Sequence, residues 1–116
     1  MTDESKLSVD NTKQQMRRGI LEFCILLIIS HGKTYTNTIL HELKKANLIV
    51  VEGTIYPLLT RLKNAGLLQY DWAESKVGPA RKYYSLTSRG KQFLAELTDV
   101  WQSLDSSIVS LMKKFK

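Results

Sequence analysis

The sequence is poor in cysteine, histidine and proline, with one, two and two residues of each type. One thiol cannot form an intramolecular disulfide, so a hydrophobic core must hold the fold, and Cys24 is predicted to be a small buried residue of that core. His31 and His41 are ten residues apart without ligand-type spacing around them, which argues against a metal site. Because glycine-rich phosphate loops, nucleophile elbows and paired carboxylates are also missing, we predict no enzyme, no catalytic residue and no cofactor.

Long hydrophobic runs are missing as well. The longest, residues 20–29, contains Glu22 and is half the length of the roughly 20 residues that a bilayer span requires. The polar segment before it does not have the form of a secretory signal, so we predict a cytoplasmic protein without a membrane partner. With 116 residues, 43% of them hydrophobic and 24% charged, the chain is expected to fold around one core.

Negative charge is in short supply over most of the chain. The net charge is +6, and the first twelve residues carry three acids against one lysine, so the remainder is more basic than the whole. Such a balance favours polyanionic partners, either nucleic acid or an anionic membrane surface.

Hydrophobic periodicity predicts three helices in the first half of the chain, over about residues 12–30, 36–46 and 52–66. The first becomes apolar on almost every side, which is typical of a helix in the middle of a fold. Thr36 is expected to cap the second helix. The third has one apolar stripe, and its opposite face carries Gly53, Pro57, Thr60 and Asn64.

A β-hairpin is predicted next. Apolar residues alternate over residues 68–72 as in a half-buried strand, with Trp72 on the core side. Residues 75–79 are expected to turn and residues 80–86 to form the returning strand. Tyr83 and Tyr84 then occupy opposite faces, so that one is buried and the other exposed.

A long helix is predicted to close the chain, capped by Thr87 or Ser88 and reaching about residue 114, roughly 40 Å in length. Its apolar residues recur at alternating spacings of four and three, which is a heptad seam. A domain this small cannot cover a seam of that length, so we predict a homodimer. The predicted interface residues are Leu97, Trp101, Leu104, Ile108 and Leu111.

These elements predict a mainly α (α+β) fold, a winged helix-turn-helix of order α-α-α-β-β-α with a long C-terminal dimerisation helix. The third helix offers a slim, polar outer face that suits the major groove of double-stranded DNA, and the basic hairpin suits adjacent phosphates. The predicted DNA-contacting residues are Thr54, Tyr56, Pro57, Thr60, Arg61, Lys76, Arg81 and Lys82.

Two other functions fit the same pattern. A winged-helix protein–protein interaction module without DNA binding would have the same fold. A basic amphipathic membrane binder could use Lys113, Lys114 and Lys116, but it would have to expose the seam that the dimer uses.

Four segments resemble the PadR-like family of bacterial winged-helix repressors: residues 16–23 (MRRGILEF), 52–62 (EGTIYPLLTRL), 66–68 (GLL) and 78–90 (GPARKYYSLTSRG). The resemblance covers about residues 14–101. It implies a homodimeric transcriptional repressor that releases DNA when a small, often aromatic, effector binds. By matching position, it implies recognition-helix roles for Thr54, Tyr56, Pro57 and Arg61 and wing roles for Arg81 and Lys82.

The pattern of the residues also predicts a division of the chain. Residues 1–11 are expected to be a flexible polar leader, 12–87 the DNA-binding domain and 88–116 the dimerisation helix, as in the family's short subfamily. In some of its members a tryptophan matching Trp101 stacks flat aromatic ligands across the dimer, whereas the position of Trp101 on the seam is explained by packing alone. Residues 35–38 (YTNT) replace the His-Gly-Tyr-type segment that opens the second helix in many relatives.

Overall fold

The computed structural model describes residues 7–75 and 78–116. Lys76 and residues 1–6 of the predicted leader lie outside the described residues. The predicted order α-α-α-β-β-α is confirmed. Of the described helices, none is long and apolar enough to span a bilayer. The elements are α1 (Val9–Ile29), α2 (Thr36–Lys45), α3 (Glu52–Asn64), β1 (Leu68–Ser75), β2 (Gly78–Leu86) and α4 (Ser88–Lys114).

Two helix starts differ from the prediction. The Ser8 hydroxyl accepts a hydrogen bond from the Asn11 amide at 3.1 Å, so α1 begins at Val9 and takes in the last residues of the predicted leader. Thr36 is the first residue of α2 and not its cap. The reason is an isolated bridge between Thr34 and Tyr84, which keeps the chain extended up to Tyr35.

The core lies where α1, α2, α3 and the base of the hairpin meet. Its fully buried side chains are Ile25, Leu26, Ile29, Ile39, Leu43, Ile55 and Leu59. Cys24, predicted to be buried, is only half-buried against this cluster, and burial raises the pKa of its thiol above the ordinary value. The predicted inward stripe of α3 is confirmed, since Ile55, Leu59 and Leu62 are buried.

The hairpin leaves the core as it extends. The strands are antiparallel and pair Leu68 with Leu86, and Trp72 with Lys82. The first pair is buried, but Trp72 is 63% exposed. The prediction that Trp72 belongs to the core was therefore wrong, because the hairpin has already passed the edge of the helices at that point. The strands are also longer than predicted, reaching Ser75 and beginning again at Gly78.

Tyr84 of β2 is buried and its neighbour Tyr83 is more exposed, as the alternation of side chains along a strand predicts, but Tyr83 is not fully exposed. Tyr84 is buried at 6% exposure. Tyr83 is half-buried instead of exposed, because its ring packs against that of Tyr35 with the centroids 5.4 Å apart.

Thr87 fixes the start of α4. Its hydroxyl accepts from the Gly90 amide at 2.9 Å and donates to the Gly66 carbonyl at 2.6 Å. Only Gly90 and Leu94 of α4 are buried, and every residue from Trp101 onward is exposed. The helix thus projects from the domain, as its length required.

Gly90 lies where the first turn of α4 crosses the connection between α3 and β1. A Cβ atom there would overlap the carbonyl oxygen of Leu67, a backbone atom that cannot move aside alone. We expect Gly90→Ala to lower the free energy of unfolding by about 2 kcal/mol or more, measured by urea denaturation. Gly53→Ala is the matched control, because nothing lies within 4 Å of its added Cβ. An unchanged unfolding midpoint in Gly90→Ala would contradict this packing.

Candidate nucleic-acid interface

One side of the domain is formed by three elements: the outer face of α3, the start of α2 and the hairpin. Between them lies an open cleft of about 390 Å³. Tyr56 and Thr60 line it from α3, Thr36 and Asn37 from α2, and Arg81 and Lys82 from β2.

The outer face of α3 is slim. Gly53, Pro57, Thr60 and Asn64 are all exposed, and no atom lies within 4 Å of the position of a Cβ on Gly53. Pro57 lies in the second turn, later than the first-turn position expected for a helix proline, and has no N–H to donate to the Gly53 carbonyl. Small side chains on this face allow the helix backbone to approach a flat or grooved partner closely.

Aromatic rings hold the cations of the hairpin in place. The guanidinium carbon of Arg81 lies 4.8 Å from the ring centroid of Tyr35. The Lys82 ammonium lies 4.5 Å from the Tyr70 ring and 5.4 Å from the Trp72 ring. Such contacts limit the freedom of long basic side chains while leaving their charge available. Both cations are half-buried, so part of the cost of ordering them is met before any partner arrives.

Four of the residues predicted to contact DNA line this one cleft: Tyr56, Thr60, Arg81 and Lys82. Pro57 is exposed on the adjoining outer face of α3.

Two other predicted residues point elsewhere. Thr54 lines a groove on the other side of α3, together with Arg17 and Arg18 of α1. Arg61 turns toward α1, where its Nε lies 3.4 Å from the Glu22 carboxylate.

No DNA-contacting residue was predicted in α2, and Trp72 was predicted to lie in the core although it lines the cleft. Tyr35, Thr36 and Asn37 line the cleft because reciprocal backbone hydrogen bonds, 2.9 and 2.7 Å long, tie Thr34 to Tyr84 of β2. A pairing between residues fifty positions apart leaves no periodic signal in either segment. The motif itself supplied the only hint, because the helix that precedes the recognition helix in a helix-turn-helix crosses the DNA backbone.

A second, apolar groove runs between α1 and α4. It has a volume of about 460 Å³, and Trp101 in its wall lies 6.5 Å from the Phe23 ring, tilted by 43°. Leu97, Leu104 and Ile108 line the same groove, and Leu111 continues the exposed stripe beyond it. Within the described residues, no group of three or more His, Cys, Asp or Glu side chains could hold a metal ion.

Known proteins resemble the chain in sequence and in fold. The model of a family described as the transcriptional regulator PadR-like family matches residues 25–96. A PadR-like transcription factor from Bacteroides fragilis is 53% identical, with a TM-score of 0.74 over 88% of this chain and 99% of that one. A PadR-like transcriptional regulator from Bacillus cereus is 37% identical, with a TM-score of 0.77 over 84% and 96%. A PadR family transcriptional regulator from Eggerthella lenta is 28% identical, with a TM-score of 0.80 over 90% and 91%.

Proposed function

The chain belongs to the PadR-like family of DNA-binding transcriptional regulators, and from that premise we propose that it is a homodimeric repressor acting on operator DNA. The observation that carries the proposal is the cleft in which Tyr56 and Thr60 of α3 face Arg81 and Lys82 of the hairpin. In this arrangement residues 12–87 bind DNA, and residues 88–116 join two chains.

We propose that α3 enters the major groove with its slim outer face. Thr60 and the Tyr56 hydroxyl would reach base edges or phosphates, and Pro57 would pack against apolar groups such as a thymine methyl. The sugar–phosphate backbone that borders the major groove of the DNA would pass through the cleft. There Arg81 and Lys82 would contact its phosphates. Thr54, with Arg18 near it, would meet the DNA backbone on the other side of α3.

The wing cations provide the sharpest test of DNA binding. Arg81→Ala and Lys82→Ala should each weaken binding to the duplex upstream of the protein's own gene. Each should also reduce the slope of log affinity against log salt by about 0.9, the value for one lost phosphate contact. Fluorescence anisotropy across a salt series measures both quantities.

Lys113→Ala is the matched control for the wing variants, because this exposed cation lies in the last turn of α4. It should leave affinity and slope unchanged. If the wing variants bind like the parent protein, the chain is better described as a protein–protein module with a winged fold.

Dimerisation through α4 is proposed from its uncovered seam. Trp101, Leu104, Ile108 and Leu111 are between 40% and 57% exposed, a continuous apolar stripe on a well-formed helix. Stripes of that length are unfavourable in water and mark interaction surfaces. A second copy offers the same stripe and would cover both at once. Two α3 helices would then stand at the fixed separation that successive major grooves require.

We expect Leu104→Asp and Ile108→Asp to yield monomers, because each places a carboxylate on the proposed interface. Sedimentation velocity should show a halved mass, with helical content close to that of the parent protein. Ser106→Asp, half a turn away on the exposed opposite face, should remain dimeric. A dimer that survives both seam substitutions would place the interface elsewhere.

A small aromatic effector is proposed for the apolar groove beside Trp101. Its volume of about 460 Å³ suits a flat drug-sized molecule, and Trp101 and Phe23 offer rings to stack on. The effector releases DNA only if it binds more tightly to a dimer in which the two α3 helices are not spaced to fit successive major grooves.

Tryptophan fluorescence tests the groove directly, because the chain has two tryptophans and only Trp101 lines it. Anilinonaphthalene sulfonate should quench the parent protein and Trp72→Phe, and should lose most of its effect on Trp101→Phe. Equal quenching of Trp101→Phe and the parent protein would exclude this groove as the binding site. A DNA affinity that stays constant at saturating probe would contradict the proposed coupling.

A further inference from the structure

Arg61 makes an ion pair that turns it away from the proposed DNA-binding cleft. Its Nε lies 3.4 Å from Oε2 of Glu22 in α1. The Glu22 side chain is only 19% exposed, and this oxygen is buried without a hydrogen-bond partner. Arg61 itself is 75% exposed. The energetic effect of the pair therefore depends on burial of the Glu22 carboxylate and not on burial of the arginine.

A buried carboxylate without a hydrogen bond depends on a nearby positive charge. An ion pair between two exposed side chains contributes little to stability, but removing the base beside a desolvated acid leaves an uncompensated charge. If Arg61 left Glu22 to meet a phosphate, that cost would be subtracted from the DNA affinity. Arg89 lines the pocket that Glu22 and Arg61 share, but among the described residues only Arg61 lies within ion-pair distance of Glu22.

Besides their apolar packing, α1 makes a polar contact near each end of α3, and the ion pair is the one near the C-terminal end. At the other end, the Arg17 guanidinium donates a hydrogen bond of 2.8 Å to the carbonyl of Ile49, three residues before α3 begins. Arg17 and Glu22 therefore lie on one helix and contact the chain near the two ends of α3. The neighbours of Glu22 on α1, Gly19 and Phe23, line the apolar groove beside Trp101.

We propose that Arg61 is a positioning residue, whose ion pair with Glu22 sets the angle at which α3 presents Tyr56 and Thr60 to DNA. The proposal rests on the proposed function and replaces the phosphate contact that the sequence predicted for Arg61. Glu22 and Phe23 are consecutive residues of α1, so the helix that carries the acid of the pair also forms part of the wall of the apolar groove.

Glu22→Gln separates the two roles, because they predict changes of opposite sign. If Arg61 is a phosphate ligand, removing the competing carboxylate frees it, and DNA binding becomes tighter. If Arg61 positions α3, the neutral amide holds it less well, and specific binding becomes weaker. The slope of log affinity against log salt adds a second distinction. A side chain that binds a DNA phosphate releases about one counterion from the DNA, so its loss lowers the slope, whereas loss of a positioning residue leaves the slope unchanged.

The experiment uses the full-length protein and variants Arg61→Ala, Arg61→Lys and Glu22→Gln, at a temperature where circular dichroism shows each to be folded. Affinities for the upstream duplex and for a scrambled duplex are measured across a salt series. We expect Arg61→Ala and Glu22→Gln to lower the specific-to-scrambled ratio about tenfold, the value of roughly one base contact, with parent salt slopes. Arg61→Lys should restore most of the ratio.

Amide hydrogen exchange in the absence of DNA supplies an independent measurement. Residues 58–64 should exchange faster in Arg61→Ala and Glu22→Gln than in the parent protein, while α2 stays unchanged. The proposal would be overturned if amide exchange of residues 58–64 were unchanged in both variants. It would also be overturned if Arg61→Ala lowered the slope of log affinity against log salt while Glu22→Gln bound DNA more tightly. Equal losses on both duplexes would also overturn it, since they indicate general destabilisation. A parent protein that does not distinguish the duplexes contradicts the proposed function instead, and the exchange measurement still decides the role of the pair.

Discussion

Burial of the second half of α1 at the centre of the domain is the constraint on which the other elements depend. Ile25, Leu26 and Ile29 have almost no exposed surface, and their neighbours come from α2, α3 and the hairpin. The same helix carries Arg17 and Glu22 toward α3 and Phe23 toward α4. A side chain added to or removed from α1 is therefore felt at both ends of the molecule, because close-packed interiors transmit small displacements.

The hairpin shows how a marginal element can hold charge in a defined place. A two-stranded ribbon is barely stable alone in water, and here its outer half extends beyond the core. Tyr70, Trp72 and Tyr35 offer rings to Lys82 and Arg81, and the Thr34 bridge ties β2 to the start of α2. The aromatic side chains thus both stiffen the ribbon and orient the cations that we propose for phosphate binding.

The domain leaves a large apolar surface uncovered at its other end. The seam of α4 and the groove beside Trp101 form one continuous face, and a single chain cannot bury it. In the proposed dimer the spacing between the two α3 helices is set by this face, some distance from the DNA-contacting residues. The ion pair between Arg61 and Glu22 offers a physical connection between the two, since α1 contributes to both.

Periodicity and capping signals in the sequence predicted the order of the elements, the inward stripe of α3 and the projecting final helix, because such signals are local. They left the cap of that helix between Thr87 and Ser88, and the structure shows that it is Thr87. The same periodicity placed Thr60 on the outer face of α3. The tertiary structure alone decided that Trp72 is exposed, that Tyr35 lies under Arg81 and that Arg61 faces Glu22. These three outcomes depend on contacts between residues distant in the chain. Neither periodicity nor residue type records which side of a helix meets a partner that far away.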